Sequence, residues 1–105
     1  MIIVFRDEGF TVRDVTTADE ALRAVAEARP DVMVVDVSLP GADGAALCRT
    51  IKGAPETSGI RCLLWSSVPH LAKLAKAAGA DAWMFKPTDL DLLVTRIREL
   101  ASRRT

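Results

Sequence analysis

Two stretches of the chain, Asp31-Val32-Met33-Val34-Val35-Asp36-Val37 and Arg61-Cys62-Leu63-Leu64-Trp65-Ser66, are almost continuously apolar and too short for helices. A strand with water on one side alternates polar and apolar residues. A run without alternation has to be buried on both faces, as inner strands are when helices cover both sides of a parallel sheet. The remaining punctuation supplies those helices. Thr17-Ala18-Asp19-Glu20 has the spacing of a capping box and opens a helix over residues 17–29, ended by Pro30. A helix over 45–52 stops at Gly53, one over 69–78 stops at Gly79, and Thr88-Asp89-Leu90-Asp91 opens a last helix to about residue 103. Residues 10–15 and 81–85 read as shorter strands, and Pro40-Gly41-Ala42-Asp43-Gly44 as a loop. Strand and helix alternate four times, which predicts an α/β fold with an open, doubly wound parallel sheet.

Composition narrows the function classes. The 105 residues suffice for one domain. Fourteen basic and fourteen acidic residues give a formal net charge of zero, so no field draws in nucleic acid or an anionic membrane. The arginines at 96, 98, 103 and 104 read as a solvated helix end that suits the helix dipole. No apolar stretch approaches the roughly 20 residues of a membrane span, and a cytoplasmic protein is expected. Cys48 and Cys62 lack metal-ligand spacing and read as buried, reduced thiols.

Ligand chemistry in open α/β sheets sits at the carboxyl ends of the strands. Three polar residues fall there: Asp36, Ser66 and Lys86, the last followed by Pro87. Together they would surround one pocket with a carboxylate, a hydroxyl and an ammonium. A carboxylate can attack a phosphoryl group, whose negative charge then needs the cation and the donor. Ser67 competes with Ser66 for the hydroxyl position, depending on register.

The segment from Val34 to Gly44 (VVDVSLPGADG) resembles the phosphoacceptor segment of bacterial two-component response-regulator receiver domains, and that from Gly79 to Pro87 (GADAWMFKP) resembles their fifth-strand segment. Ala18-Asp19-Glu20-Ala21-Leu22 and Arg29-Pro30-Asp31 are similar to the same family, so the likeness covers nearly everything from Gly9 onward. It implies a CheY-like, flavodoxin-like fold and a role for each position. Asp36 would accept a phosphoryl group from a histidine kinase. Ser66 and Trp83 would be the switch pair. Lys86 would neutralise the phosphate. Mg2+ would be held by Asp36, the Ser38 backbone and an acidic residue of the first strand. A cis Lys86-Pro87 bond is also implied.

The amino-terminal part departs from that pattern. The family begins with a strand ending in two acids, then a full helix. Here only eight residues precede Gly9, and a parallel crossover takes about a dozen or more. Either residues 2–8 are the first strand with its helix deleted, Arg6 replacing one acid and Asp7 keeping the other, or they are the tail of the first helix and the first strand is missing. β-branched Ile2, Ile3 and Val4 favour the strand; Gly9 after Arg6-Asp7-Glu8 suits a helix end. In both cases the metal site is weakened or lost, and Arg6 could stand in for the ion if it reached the pocket. A missing central strand would expose edges, so a homodimer is expected, with exchange of residues 1–8 as one route. A start lying upstream of Met1 is the other explanation.

Three functions remain. The first is a receiver phosphorylated at Asp36 that signals through a downstream protein partner, since no output segment follows within the sequence. The second is a pseudo-receiver that binds or dimerises without phosphotransfer. The third, a small hydrolase, lacks a second acid or base: the one histidine, His70, sits at a helix start, and no glycine-rich phosphate loop is present. A non-enzymatic signalling module is the expectation.

Overall fold

A computed structural model describes residues 2–6, 11–39, 42–86 and 89–102. The strands are β1 (Ile2–Arg6), β2 (Thr11–Val15), β3 (Val32–Asp36), the two-residue pair β4 (Ser38–Leu39) and β5 (Ala42–Asp43), β6 (Arg61–Ser66) and β7 (Ala82–Phe85). The helices are α1 (Ala18–Glu27), α2 (Gly44–Gly53), α3 (Leu71–Ala78) and α4 (Leu90–Ser102). One sheet runs in the order β2-β1-β3-β6-β7. β3, β6 and β7 are parallel, and the two apolar runs are its inner strands. All five residues of β3 are buried.

Local chemistry sets the helix ends. Thr17 accepts from the Glu20 N–H at 3.1 Å, and Thr16 donates to the Glu20 carboxylate at 2.9 Å, so the predicted cap forms with a second hydroxyl added. α1 stops at Glu27 rather than 29: the residue before a proline is pushed out of the α region, and Ala28 is already extended. Gly79 closes α3 in the left-handed region at φ 75°, where a residue without Cβ meets no steric penalty. The last helix is capped by Asp89, whose carboxylate accepts from the Asp91 N–H at 2.8 Å; Thr88, the hydroxyl the sequence suggests, lies outside the described residues.

The amino-terminal strand decides between the two alignments and adds a feature neither contains. Residues 2–6 are a strand, not a helix tail, and it lies in the middle of the sheet. Yet β1 is antiparallel to both neighbours, with Ile2 opposite Val15 and Val35 and Phe5 opposite Val12 and Val32. Only residues 7–10 separate β1 from β2, which suffices to reverse the chain beside itself and not for a parallel crossover. The central position is therefore filled within the chain, and exchange of residues 1–8 between subunits is not needed to complete the sheet.

Deleting that crossover leaves the layers unequal. α1, α2 and α3 cover one face over Ile2, Val4, Val15, Met33, Val35, Cys62 and Leu64. α4 alone covers the other, with Leu93, Ile97, Leu100 and Ala101 on Phe5, Val32, Val34, Leu63 and Ala82. At the amino ends of β6 and β7, Lys52 of α2 donates to the Ser58 and Ile60 carbonyls (2.8 and 3.1 Å) and to Asp81 (3.0 Å). Asp81 also accepts from the Cys62 N–H at 2.8 Å.

Candidate functional site

The carboxyl ends of β3, β6 and β7 lie side by side. Asp36 is opposite Trp65, and Ser66 is opposite Phe85. Side chains alternate along a strand, so Val32, Val34 and Asp36 share a face with Leu63 and Trp65 and with Ala82, Met84 and Lys86. That is the α4 side, and the three rows end in an acid, an indole and an ammonium. Lys86 donates to Asp36 Oδ2 in a charge-assisted hydrogen bond. Its Nζ also stands 4.5 Å from the centroid of the Trp65 ring, a cation–π distance. Asp36 is 9% exposed and largely withdrawn from water, whereas the Lys86 side chain keeps 32% of its surface exposed.

Ser66 is 2% exposed. Its carbonyl accepts the Lys86 N–H at 2.9 Å, which fixes the backbone of the lysine. Its hydroxyl accepts from the Val68 N–H at 3.2 Å, turned into the loop that follows β6. The register thus assigns Ser66 rather than Ser67 to the strand end. The floor on the β3 side is tight. The Val37 N–H donates to the Trp65 carbonyl and the Gly44 N–H to the Val37 carbonyl, both at 3.1 Å. A Cβ on Gly44 would lie 2.3 Å from the Asp36 carbonyl oxygen, so only glycine lets α2 start this close.

The other predicted residues fall as follows. The Ser38 backbone, two residues beyond Asp36, pairs with Asp43 in the β4–β5 ladder. Asp43 is used as the α2 cap, its carboxylate accepting from the Ala45 N–H at 2.9 Å. Trp83, opposite Leu64, is 46% exposed on the face away from Asp36, beside Ala72, Lys73, Lys76 and Ala80 of α3 and the turn after it. Asp7 and Pro87 lie outside the described residues. The idea that Arg6 reaches the pocket is corrected. Because β1 is reversed, Arg6 ends next to the start of β3, where Asp31 N–H donates to the Phe5 carbonyl, roughly 16 Å of strand from Asp36. The end of β1 that approaches the site is Ile2, fully buried opposite Val35.

Two contributors do not stand out in the sequence. Trp65 reads there only as part of an apolar run; its position just before Ser66 is the available signal. Gly44 reads as loop chemistry, and its need to be glycine follows from a long-range contact.

An acid, a lysine and a buried hydroxyl on the ends of neighbouring parallel strands of a flavodoxin-like sheet define a receiver-type signalling module. The response regulator receiver domain matches residues 1–98, and the chain belongs to that family. It is 33% identical over 100 residues to the DNA-binding response regulator MtrA of Mycolicibacterium smegmatis, covering 93% of this chain and 42% of that one. It is 31% identical over 98 residues to the phosphate regulon transcriptional regulatory protein PhoB of Rhizobium meliloti, covering 91% and 43%. The chain thus spans less than half the length of these curated relatives. The signal receiver domain of a histidine kinase from Syntrophus aciditrophicus superposes with a TM-score of 0.79 at 32% identity, covering 94% of this chain and 78% of that one. The chemotaxis protein CheY4 of Vibrio cholerae gives 0.77 at 25%, covering 90% and 80%.

Receiver domains generally bind Mg2+ at the phosphorylation site. The donor set here does not fit it. Octahedral magnesium takes hard oxygen ligands, commonly one or two carboxylates. Among the described residues no group of three or more metal-ligating side chains is assembled, Asp36 Oδ2 is bonded to Lys86, and Asp43 is committed to its helix cap.

Proposed function

We propose that this chain is a response-regulator receiver whose Asp36 accepts a phosphoryl group from a histidine kinase. The observation that carries the reading is the Asp36–Lys86 pair at the strand ends of a receiver fold. In the step, an Asp36 carboxylate oxygen attacks phosphorus, the P–N bond of the phosphohistidine breaks, and the imidazole leaves with the electron pair. Lys86 moves from balancing a carboxylate to balancing a phosphoryl oxygen. The Ser66 hydroxyl, which accepts from Val68, rotates to donate to another phosphoryl oxygen, so the loop after β6 is released as the phosphate arrives. Trp83, Phe85, Leu92 and Val94 are exposed on β7 and α4, and they offer an apolar surface for a downstream protein or a second copy.

One observation favours a second reading, a pseudo-receiver that binds without phosphotransfer: reversal of β1 puts Ile2, not an acid, at the end of the strand beside Asp36. Intact-mass spectra after incubation with acetyl phosphate separate the two. A phosphoryl adduct that disappears in Asp36→Ala supports the receiver. A folded sample with no adduct, with or without magnesium, establishes the pseudo-receiver instead.

A further inference from the structure

We propose that the Asp36 pocket operates without a divalent cation, its fixed positive charge being the Lys86 ammonium held between Asp36 and the Trp65 ring. This rests on the receiver reading and concerns what balances charge in that same pocket.

Three features lead to it. First, strand direction decides what an element can deliver to a sheet end. β1 runs against β3, so its carboxyl end, Arg6, is beside the start of β3, and its amino end, Ile2, is beside Val35. Ile2 is fully buried with Val35 in the core on the other face of the sheet, so this end of β1 brings the pocket no side-chain oxygen ligand. Second, Asp36 is already neutralised. Its Oδ2 bonds to Lys86, and a metal at that oxygen would have to displace an ammonium that is attached to the sheet and costs no binding entropy. Third, the ammonium has a second anchor. Trp65 is on the same face and in register with Asp36, and its ring takes Nζ at 4.5 Å. Carboxylate and π-face together hold the cation at the mouth of the strands, where a phosphoryl oxygen would arrive.

The test counts metal directly. Mn2+ is titrated against the full chain and against Asp36→Asn, and the free ion is measured by electron paramagnetic resonance. The expected result is no saturable binding in the millimolar range that depends on Asp36. Saturable one-to-one binding that Asp36→Asn abolishes would overturn the proposal. In parallel, labelling by acetyl phosphate is followed by intact mass in EDTA and in magnesium. Equal labelling within about twofold is expected, and a tenfold or larger gain with magnesium overturns it. Absence of any adduct in both buffers would defeat the phosphoacceptor reading alone, and the Mn2+ count would still decide this one.

Discussion

Gly44→Ala tests the packing that supports the site. The new Cβ would stand 2.3 Å from the Asp36 carbonyl oxygen, 2.9 Å from Val37 Cα and 3.0 Å from Val35 Cγ1. Two of the three are backbone atoms in the centre of the sheet and cannot rotate away. Opening the shortest contact to the 3.4 Å of ordinary contact moves the start of α2 off β3 by about 1 Å. That shift also breaks the Gly44 N–H to Val37 carbonyl bond, now 3.1 Å. Overpacking of this kind costs about 1–3 kcal/mol and the lost hydrogen bond about 1 more, so we expect a loss of about 2–4 kcal/mol. Gly53→Ala is the internal control. It lies in the same helix with nothing within 4 Å of its added Cβ, and helix propensity favours alanine by up to about 1 kcal/mol. The two substitutions have opposite signs in urea unfolding. A Gly44→Ala chain within about 0.5 kcal/mol of the native one, the size of a neutral surface change, would show that α2 does not pack on the Asp36 carbonyl.

Other consequences follow from the ion pairs and thiols. Lys86→Met should destabilise by about 1–3 kcal/mol, because it removes the ammonium bonded to the better-buried Asp36 carboxylate, whereas Asp36→Asn should cost less than about 1 kcal/mol since the lysine can reach water; equal losses in denaturant unfolding would contradict this asymmetry. Lys52→Met keeps the stem and removes the donor to two carbonyls and Asp81, so thermal or urea unfolding should show a loss of about 2–3 kcal/mol, and no loss would mean that the network is idle. The Cys62 thiol is pushed up, first by its hydrogen bond with Cys48 and then by burial. It stays protonated at about pH 8, so iodoacetamide should label Cys62 only after unfolding; labelling of the native chain, located by peptide mass mapping, would place the thiol at the surface.

Much of this architecture is legible from residue patterns because the relevant signals are local. The unbroken runs through Val32–Asp36 and Arg61–Ser66 can only be inner strands, and Thr17, Gly53 and Gly79 bound helices by short-range chemistry. Asp36 and Lys86 emerge because strand order places consecutive carboxyl ends together. Strand direction is not legible in the same way. Ile2, Ile3 and Val4 specify a strand, but nothing in them says which way it runs; the length of the connection does, and a segment of residues 7–10 permits only reversal. That one topological fact moves Arg6 away from the site and brings Ile2 to it. Trp65 is hidden for a different reason: an aromatic residue in an apolar run reads as core, and its use as a partner for Lys86 depends on the register between β6 and β7.

The direction of β1 underlies both the charge of the pocket and the fit of the metal, and cross-strand nuclear Overhauser effects measure it directly. The structure predicts contacts from Ile2 to Val15 and Val35 and from Phe5 to Val32, the antiparallel pattern on both sides of β1. Contacts placing Phe5 or Arg6 beside Val35 would mean a parallel first strand. Its carboxyl end would then return to Asp36, and a pocket that operates on the Lys86 charge without a divalent cation would be contradicted.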